Sequence, residues 1–159
     1  MEILVTWPFM VLLLVVLGLL AMLALPSVGS AIGVSLVGNA LIGAMKKDPG
    51  LFGKGLILTA LPSTQGLYGF AAFFLFLLRL SEMQTLTYMQ AVLIFAAGVS
   101  LGLAGYFSTQ YQSKIACNGI VEMSNGRDFF GQTMILTVYS ELYAILTFAA
   151  SFLVLNLAL

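Results

Sequence analysis

Four long apolar segments restrict the folds that this chain can adopt. They cover residues 7–45, 51–78, 87–123 and 129–157, and short segments holding most of the charged residues separate them. A helix needs about 20 apolar residues to cross the hydrocarbon core of a bilayer, and each segment is longer. Only 8% of the residues are charged, against about a quarter in soluble domains. The sequence therefore predicts an all-α membrane protein with four transmembrane helices.

The charges in the three connections predict the orientation in the membrane. The connections at 46–50 and 124–128 contain Lys46, Lys47 and Arg127, whereas the middle one has a single arginine near an acidic residue. Cytoplasmic loops of membrane proteins carry an excess of Lys and Arg. We therefore expect the first and third connections to face the cytoplasm and both termini to face outside.

The sequence repeats itself with a shift of 78 positions. Residues 70–77 align with 148–155 and six of the eight pairs are identical, while 52–59 align with 130–137 with five identical pairs. The alignment needs no gap between these blocks. A repeat of this kind predicts tandem duplication of a structural unit.

Each unit contains two crossings, so the duplication predicts a first helical hairpin at 1–80 and a second at 81–159. Because two crossings return the chain to its starting side, both hairpins enter the membrane in the same direction. Such parallel repeats are related by an axis along the membrane normal. This symmetry favours the subunit of a homo-oligomeric ring over a transporter built from inverted repeats.

The composition excludes several classes of function. The chain has no histidine and one cysteine, Cys117, which leaves no ligand set for zinc and no histidine-based catalytic triad. Its net charge is zero and no basic stripe is present, so we expect no nucleic acid partner. We expect lipid to surround the chain, and we expect no enzymatic activity of its own.

One carboxylate lies deep inside a predicted crossing. Counting about 1.5 Å per residue, Glu141 lies about 18 Å from the start of the fourth segment and Gln112 about 16 Å from the end of the third. On the second segment, Ser63 lies about 18 Å deep, next to Thr64 and Gln65. Polar side chains of three helices therefore meet at one level. A carboxylate at this depth costs about 2.5–3.5 kcal/mol to insert and indicates a function.

The charge of Glu141 has to be neutralised by a proton or a bound cation. Lys114 is an alternative partner, but it lies nearer the cytoplasm, where its side chain can extend to the interface. A proton needs only the carboxylate, whereas a hard cation such as Na⁺ also needs neutral oxygens. Thr64, Gln65 and Gln112 supply such oxygens. The pattern favours Na⁺, with H⁺ as the alternative.

Prolines predict local distortions of two crossings. Pro26 is the expected position of a kink in the first helix. Pro62 has no N–H group, so it frees the carbonyl of Leu58 and can expose backbone oxygens near the polar level. Tyr68 lies a few residues further along this helix and is the expected hydrogen-bond donor to Glu141. The phenylalanines of the second and fourth segments that we expect to face lipid are Phe73, Phe74, Phe76, Phe148 and Phe152.

Three segments resemble a known family. They are Leu-Pro-Ser-Thr-Gln-Gly-Leu-Tyr-Gly-Phe at 61–70, Phe-Ser-Thr-Gln-Tyr-Gln-Ser-Lys at 107–114 and Glu-Leu-Tyr-Ala-Ile-Leu at 141–146. These segments resemble the duplicated proteolipid subunit of V-type rotary ATPases, and within it the K subunits of bacterial sodium-translocating enzymes. The resemblance covers essentially the whole chain.

This resemblance implies a membrane rotor ring of identical subunits in a bacterial plasma membrane. ATP hydrolysis in a separate soluble sector would turn the ring, through a central-stalk subunit, past an arginine of a stator subunit. The resemblance implies that Tyr68 holds the carboxylate of Glu141. Gln110 is an alternative to Gln112 as the ligand from the third helix. The implied sodium ligands are the Leu61 carbonyl, Thr64, Gln65, Gln112 and Glu141.

Two further functions are alternatives to a rotor subunit. A small four-helix secondary transporter also has an intramembrane glutamate, but the known type has it in the first helix. A structural protein with four crossings would have no use for Glu141 and the polar residues at its level.

Overall fold

The computed structural model of the chain describes residues 7–158 and is helical in all four predicted crossings. The remaining residues of the predicted hairpins, 1–6 and 159, lie outside this described part. Each crossing is long and apolar enough to span a membrane. The five α-helices are α1 (Phe9–Met45), α2 (Phe52–Ala60), α3 (Thr64–Ser81), α4 (Tyr88–Ser124) and α5 (Phe130–Ala158).

The second crossing is divided, and the first is continuous. A 3₁₀ turn at Leu61–Ser63 separates α2 from α3, because Pro62 cannot donate a backbone hydrogen bond. Pro26 lies inside α1, yet the helix continues through it to Met45. The distortion expected at Pro62 is therefore confirmed, while Pro26 does not break the first helix.

Local sequence signals explain where the third crossing begins and ends. Thr87 and Gln90 form a capping box, in which each side chain bonds the other residue's backbone N–H at the start of α4. Beyond the end of α4, Gly126 has a φ of 84°, a left-handed conformation that glycine adopts without steric cost. The turn after α4 therefore reverses the chain into α5.

The first helices of the two hairpins, α1 and α4, approach closely through small residues. A Cβ atom placed on Gly29 would lie 3.0 Å from the Cα atom of Tyr106, and one placed on Gly105 would lie 2.9 Å from Cβ of Pro26. Small residues at such positions let helix backbones come together in a membrane. The backbones of α1 and α4 are therefore in close contact along the bundle.

Two hydrophobic clusters lie on either side of a polar layer. One cluster extends from Trp7, just before α1, to Met22 and includes Phe76. The other extends from Val37 towards the first connection and includes Ile120. The expectation that the phenylalanines face lipid is wrong for Phe76, which is buried. The buried polar residues between the clusters are Ser30, Gln65, Ser108, Thr109, Gln112, Ser113, Thr137 and Glu141.

The first and third connections lie at the same end of the bundle. Lys47 donates a hydrogen bond of 3.1 Å to Asn125, the residue 78 positions later. Lys54 and Asp128 form an ion pair of 2.8 Å, which holds the pKa of Asp128 below its ordinary value. These polar contacts join the two hairpins where both turn.

Candidate functional site

Glu141 lies on α5 with only 6% of its surface exposed and accepts two hydrogen bonds. The Tyr68 hydroxyl donates to Oε1 at 2.5 Å, and the Gln112 amide nitrogen donates to Oε2 at 3.1 Å. One donor comes from each hairpin. The carboxylate is therefore held at the interface between the two repeats.

Two fully buried glutamines extend this network across the bundle. The Gln65 amide nitrogen donates to Oε1 of Gln112 at 2.8 Å and to Oγ of Ser108 at 3.2 Å. Gln112 also donates to the carbonyl of Thr137 at 3.3 Å. Because buried amides are costly without partners, this pairing fixes the orientation of both side chains.

The break in the second crossing gathers further oxygen atoms beside Gln65. The Leu61 carbonyl accepts hydrogen bonds from the Thr64 backbone N–H and, at 2.9 Å, from the Thr64 hydroxyl. That hydroxyl also lies 3.3 Å from Oε1 of Gln65. Thr64 is therefore hydrogen-bonded to both Leu61 and Gln65. Through Gln65 and its bond to Gln112, this group is connected to Glu141.

The structure distinguishes the two glutamines of the third crossing that lie two residues apart. Gln112 bonds Glu141, whereas the Gln110 amide nitrogen is buried without a hydrogen-bond partner among residues 7–158. Lys114 is exposed, and its ammonium lies 5.2 Å from the centre of the Tyr111 ring. Among the described residues, no ion pair involves Glu141. The geometry therefore agrees with the preference for Gln112 and with an outward position of Lys114.

Two serines at equivalent positions of the repeats support the site and were not predicted as part of it. Ser108 accepts from Gln65 and donates to the carbonyl of Ser140 at 2.7 Å. Ser30, the residue 78 positions earlier, accepts from the backbone N–H of Gly66 at 2.9 Å. Their shared place in the repeat and the spacing of four residues between Ser108 and Gln112 are the signals that point to them.

The site offers one negative charge and several neutral oxygens. The five predicted ligands are one carboxylate, two amide oxygens, one hydroxyl and one backbone carbonyl, and oxygen ligands of these kinds suit a hard cation. No cluster of three or more His, Cys, Asp or Glu residues exists in residues 7–158. A single carboxylate balances the charge of a proton or a monovalent cation and is a poor match for a divalent one.

Comparison with known proteins agrees with this architecture. A family model for the C subunit of ATP synthase matches the chain twice, at residues 12–76 and 95–154, once in each hairpin. The V-type sodium ATPase subunit K of Enterococcus hirae is 37% identical over 130 residues, covering 81% of this chain and 82% of that protein. The A-type ATP synthase subunit K of Methanocaldococcus jannaschii is 35% identical over 117 residues, covering 74% of this chain and 50% of that protein.

The two family matches cover most of the four crossings and fit a duplicated hairpin. Four helices of membrane-spanning length and these relatives together make the chain a multi-pass membrane protein. The chain belongs to the family of ATP synthase C subunits.

Proposed function

We propose that the chain is the ion-carrying subunit of the rotor ring of a V-type rotary ATPase and that it carries Na⁺ on Glu141. The observation that carries this proposal is the one buried carboxylate among residues 7–158, Glu141, which Tyr68 and Gln112 bond in the polar layer between two apolar clusters. Such a group can take up an ion, neutralise itself and cross an apolar environment. The subunit has no catalytic role, and ATP is hydrolysed elsewhere in the complex.

The oxygen atoms around Glu141 support Na⁺ as the transported ion. A proton would need only the carboxylate, whereas Na⁺ must exchange its water for several oxygen ligands. The proposed ligands are the Leu61 carbonyl, the Thr64 hydroxyl, the amide oxygens of Gln65 and Gln112, and the Glu141 carboxylate. The sodium ATPase named among the relatives also supports this choice.

Binding a cation requires a local change of hydrogen bonding. The amide nitrogen of Gln112 now points to Glu141, and its oxygen points to Gln65. A half-turn of a terminal amide exchanges its oxygen and nitrogen positions with little change of shape. We therefore propose that Gln112 turns its oxygen to the ion and that the Gln65 amide turns with it, because two amide nitrogens cannot bond each other. Tyr68 keeps its bond to the carboxylate.

The proposal includes the partners of a rotor. Identical copies surround an axis along the membrane normal, as the parallel repeats favour, and lipid covers the outer surface. A stator subunit presents an arginine to Glu141, and a central-stalk subunit transmits rotation. We place the first and third connections, with Lys47 and Lys54, on the cytoplasmic side of a bacterial plasma membrane and both termini outside.

Carbodiimide labelling of purified rings tests the identity of the ion. The reagent attacks a protonated carboxyl group, so bound Na⁺ should slow the labelling of Glu141 by competition. Gln112→Ala should remove a ligand and weaken this protection by about tenfold in sodium concentration, which corresponds to about 1.4 kcal/mol.

Gln110→Ala is the matched control, because Gln110 lies two residues away on the same helix and has no bond to Glu141. It should keep the protection seen in the unmodified ring. A labelling rate that does not depend on the Na⁺ concentration between acidic and neutral pH would favour the proton as the transported ion. Equal loss of protection in both variants would refute the role of Gln112.

A further inference from the structure

The two hairpins have equivalent sequences but differ in which positions they bury. Phe74 and Phe152 are equivalent under the 78-residue shift and are both exposed, at 48% and 46%. Positions of this kind face outwards in both repeats, towards lipid. A position that is buried in one hairpin and exposed in the other marks a surface that contacts the partner hairpin in one repeat but has no such contact in the other.

The second hairpin has such a surface, which we call the aromatic face: Phe107, Tyr111 and Tyr143. These side chains are 52%, 58% and 68% exposed. The equivalent residues of the first hairpin are Gly29, Gly33 and Gln65, which are all buried against the second hairpin. The aromatic face is therefore the part of the second hairpin that corresponds to the first hairpin's buried contact surface.

The first hairpin has the complementary surface, which we call the small-residue face: Ala24, Val28, Ala31 and Ser35. All four residues are exposed. The residues equivalent to Ala24, Ala31 and Ser35 are Gly102, Thr109 and Ser113, which are buried against the first hairpin. Each hairpin therefore exposes the side that its counterpart uses for the contact within the chain.

We propose that the aromatic face of one copy packs on the small-residue face of the next copy, repeating the contact between the hairpins. This inference rests on the ring of the proposed function and adds the residues that join its subunits. The partner that covers these two faces is a second copy of the chain. Within one chain, each hairpin covers the residues of the other that correspond to these faces, and only another copy presents the same hairpins again.

The shift converts contacts within the chain into contacts between copies. A Cβ atom on Gly29 would lie 3.0 Å from Cα of Tyr106, so Phe107 should contact Val28 of the next copy. A Cβ atom on Gly33 would lie 2.5 Å from Oγ of Ser113. By the same 78-residue shift, Tyr111 should contact Ser35 of the next copy.

At these two places the first hairpin supplies the smaller residue in both interfaces, namely Gly29 and Gly33 within the chain and Val28 and Ser35 between copies. The aromatic rings exposed on one copy thus have matching space on its neighbour.

The seam between copies differs chemically from the contact within the chain. The pair Gln65 and Gln112 is replaced by Tyr143 and Val34, since each residue moves by 78 positions. The carboxylate has no equivalent at this seam, because Ser63 takes its position. We infer that the seam is an apolar and aromatic contact that holds the ring together without binding an ion.

Disulfide cross-linking of assembled rings tests the seam. In a Cys117→Ala background, the pair Val28→Cys and Phe107→Cys should form disulfides between copies when rings are oxidised with copper phenanthroline. The two Cβ atoms must come within about 3.5–4.5 Å of each other. Denaturing gels should then show a ladder of covalent multimers that disappears on reduction.

The control pair is Phe74→Cys with Phe152→Cys, which is exposed on both hairpins and should give no ladder. Ser35→Cys with Tyr111→Cys is a second seam pair, in case the first disturbs folding. Rings of normal size that give no ladder with either seam pair would overturn the seam alone. An unmodified chain that forms no ring in mild detergent would overturn the seam together with the ring of the proposed function.

Discussion

At the scale of single residues, Glu141 depends on donors from both repeats. Tyr68 belongs to the first hairpin and Gln112 to the second, so the carboxylate is positioned only when the hairpins are packed together. Two hydrogen bonds reduce the cost of burying this charge but leave it uncompensated. In the proposed function, a bound cation or proton completes the neutralisation.

Glu141→Gln should abolish ion transport while leaving the ring assembled. The amide has almost the same volume as the carboxyl group but cannot supply the negative charge that attracts a cation. ATP-driven Na⁺ uptake into vesicles should fall to background, while ring size in mild detergent stays unchanged. Normal uptake by the variant would mean that another group carries the ion.

Tyr68→Phe should weaken sodium binding without preventing it. The phenol donates a hydrogen bond to a charged group, and such bonds contribute about 1.5–3 kcal/mol, or about ten- to a hundredfold in affinity. The measurement is the sodium concentration that halves the rate of carbodiimide labelling. Tyr143→Phe removes a hydroxyl from an exposed position and should leave this concentration unchanged; equal effects of both changes would contradict the role of Tyr68.

At the scale of helices, the sequence predicted the four crossings and the distortion at Pro62, because apolar length and a missing N–H group are readable in the chain. It did not show that Pro26, the expected position of a kink, would pack against Gly69 and Gly105 within a continuous α1. The burial of Phe76 also depends on tertiary packing and has no local signal.

The site was predictable to a similar extent. Helical spacing brought Gln65, Gln112 and Glu141 to one level, and the structure places these side chains in one network. Ser108 was missed because its role depends on an interhelical contact and on a backbone acceptor of α5. Backbone carbonyls of other helices cannot be assigned from residue types alone.

The close approach of α1 and α4 predicts a strong effect of Gly98→Ala. The added Cβ atom would lie 2.6 Å from the carbonyl carbon of Gly18, so the backbones would have to separate. Overpacking of this kind costs about 1–3 kcal/mol. Thermal dissociation of the purified ring should therefore occur at a lower temperature.

Gly43→Ala is the matched control for this prediction. An added Cβ atom at Gly43 would meet nothing within 4 Å, and alanine favours a helix interior over glycine by about 0.5–1 kcal/mol. The dissociation temperature should stay the same or rise slightly. A comparable decrease in both variants would show that the glycines act through helix propensity and not through close packing.

At the scale of the whole molecule, duplication has left one carboxylate deep inside the predicted crossings of two hairpins. Ser63 takes the position of Glu141 in the first hairpin, and its hydroxyl donates to the Ala60 carbonyl at 2.6 Å. A serine cannot balance the charge of a cation. In the proposed site, the first hairpin instead supplies neutral ligands, from Leu61, Thr64 and Gln65, beside the carboxylate of the second.

With one such carboxylate for every two hairpins, the proposed ring should carry fewer ions per turn than a ring of the same number of hairpins with a carboxylate in each. Each ion then uses a larger share of the free energy of ATP hydrolysis, which suits transport against a steep gradient. The number of ions that one chain carries therefore distinguishes one site per chain from one site per hairpin.

Equilibrium binding of radiolabelled Na⁺ to purified rings measures this number directly. Bound sodium is divided by the number of chains, which quantitative amino-acid analysis gives independently, and Glu141→Gln rings supply the background. We expect one Na⁺ per chain, lost in the variant. Two ions per chain would contradict the single site at Glu141, and no binding above the background would contradict sodium as the transported ion.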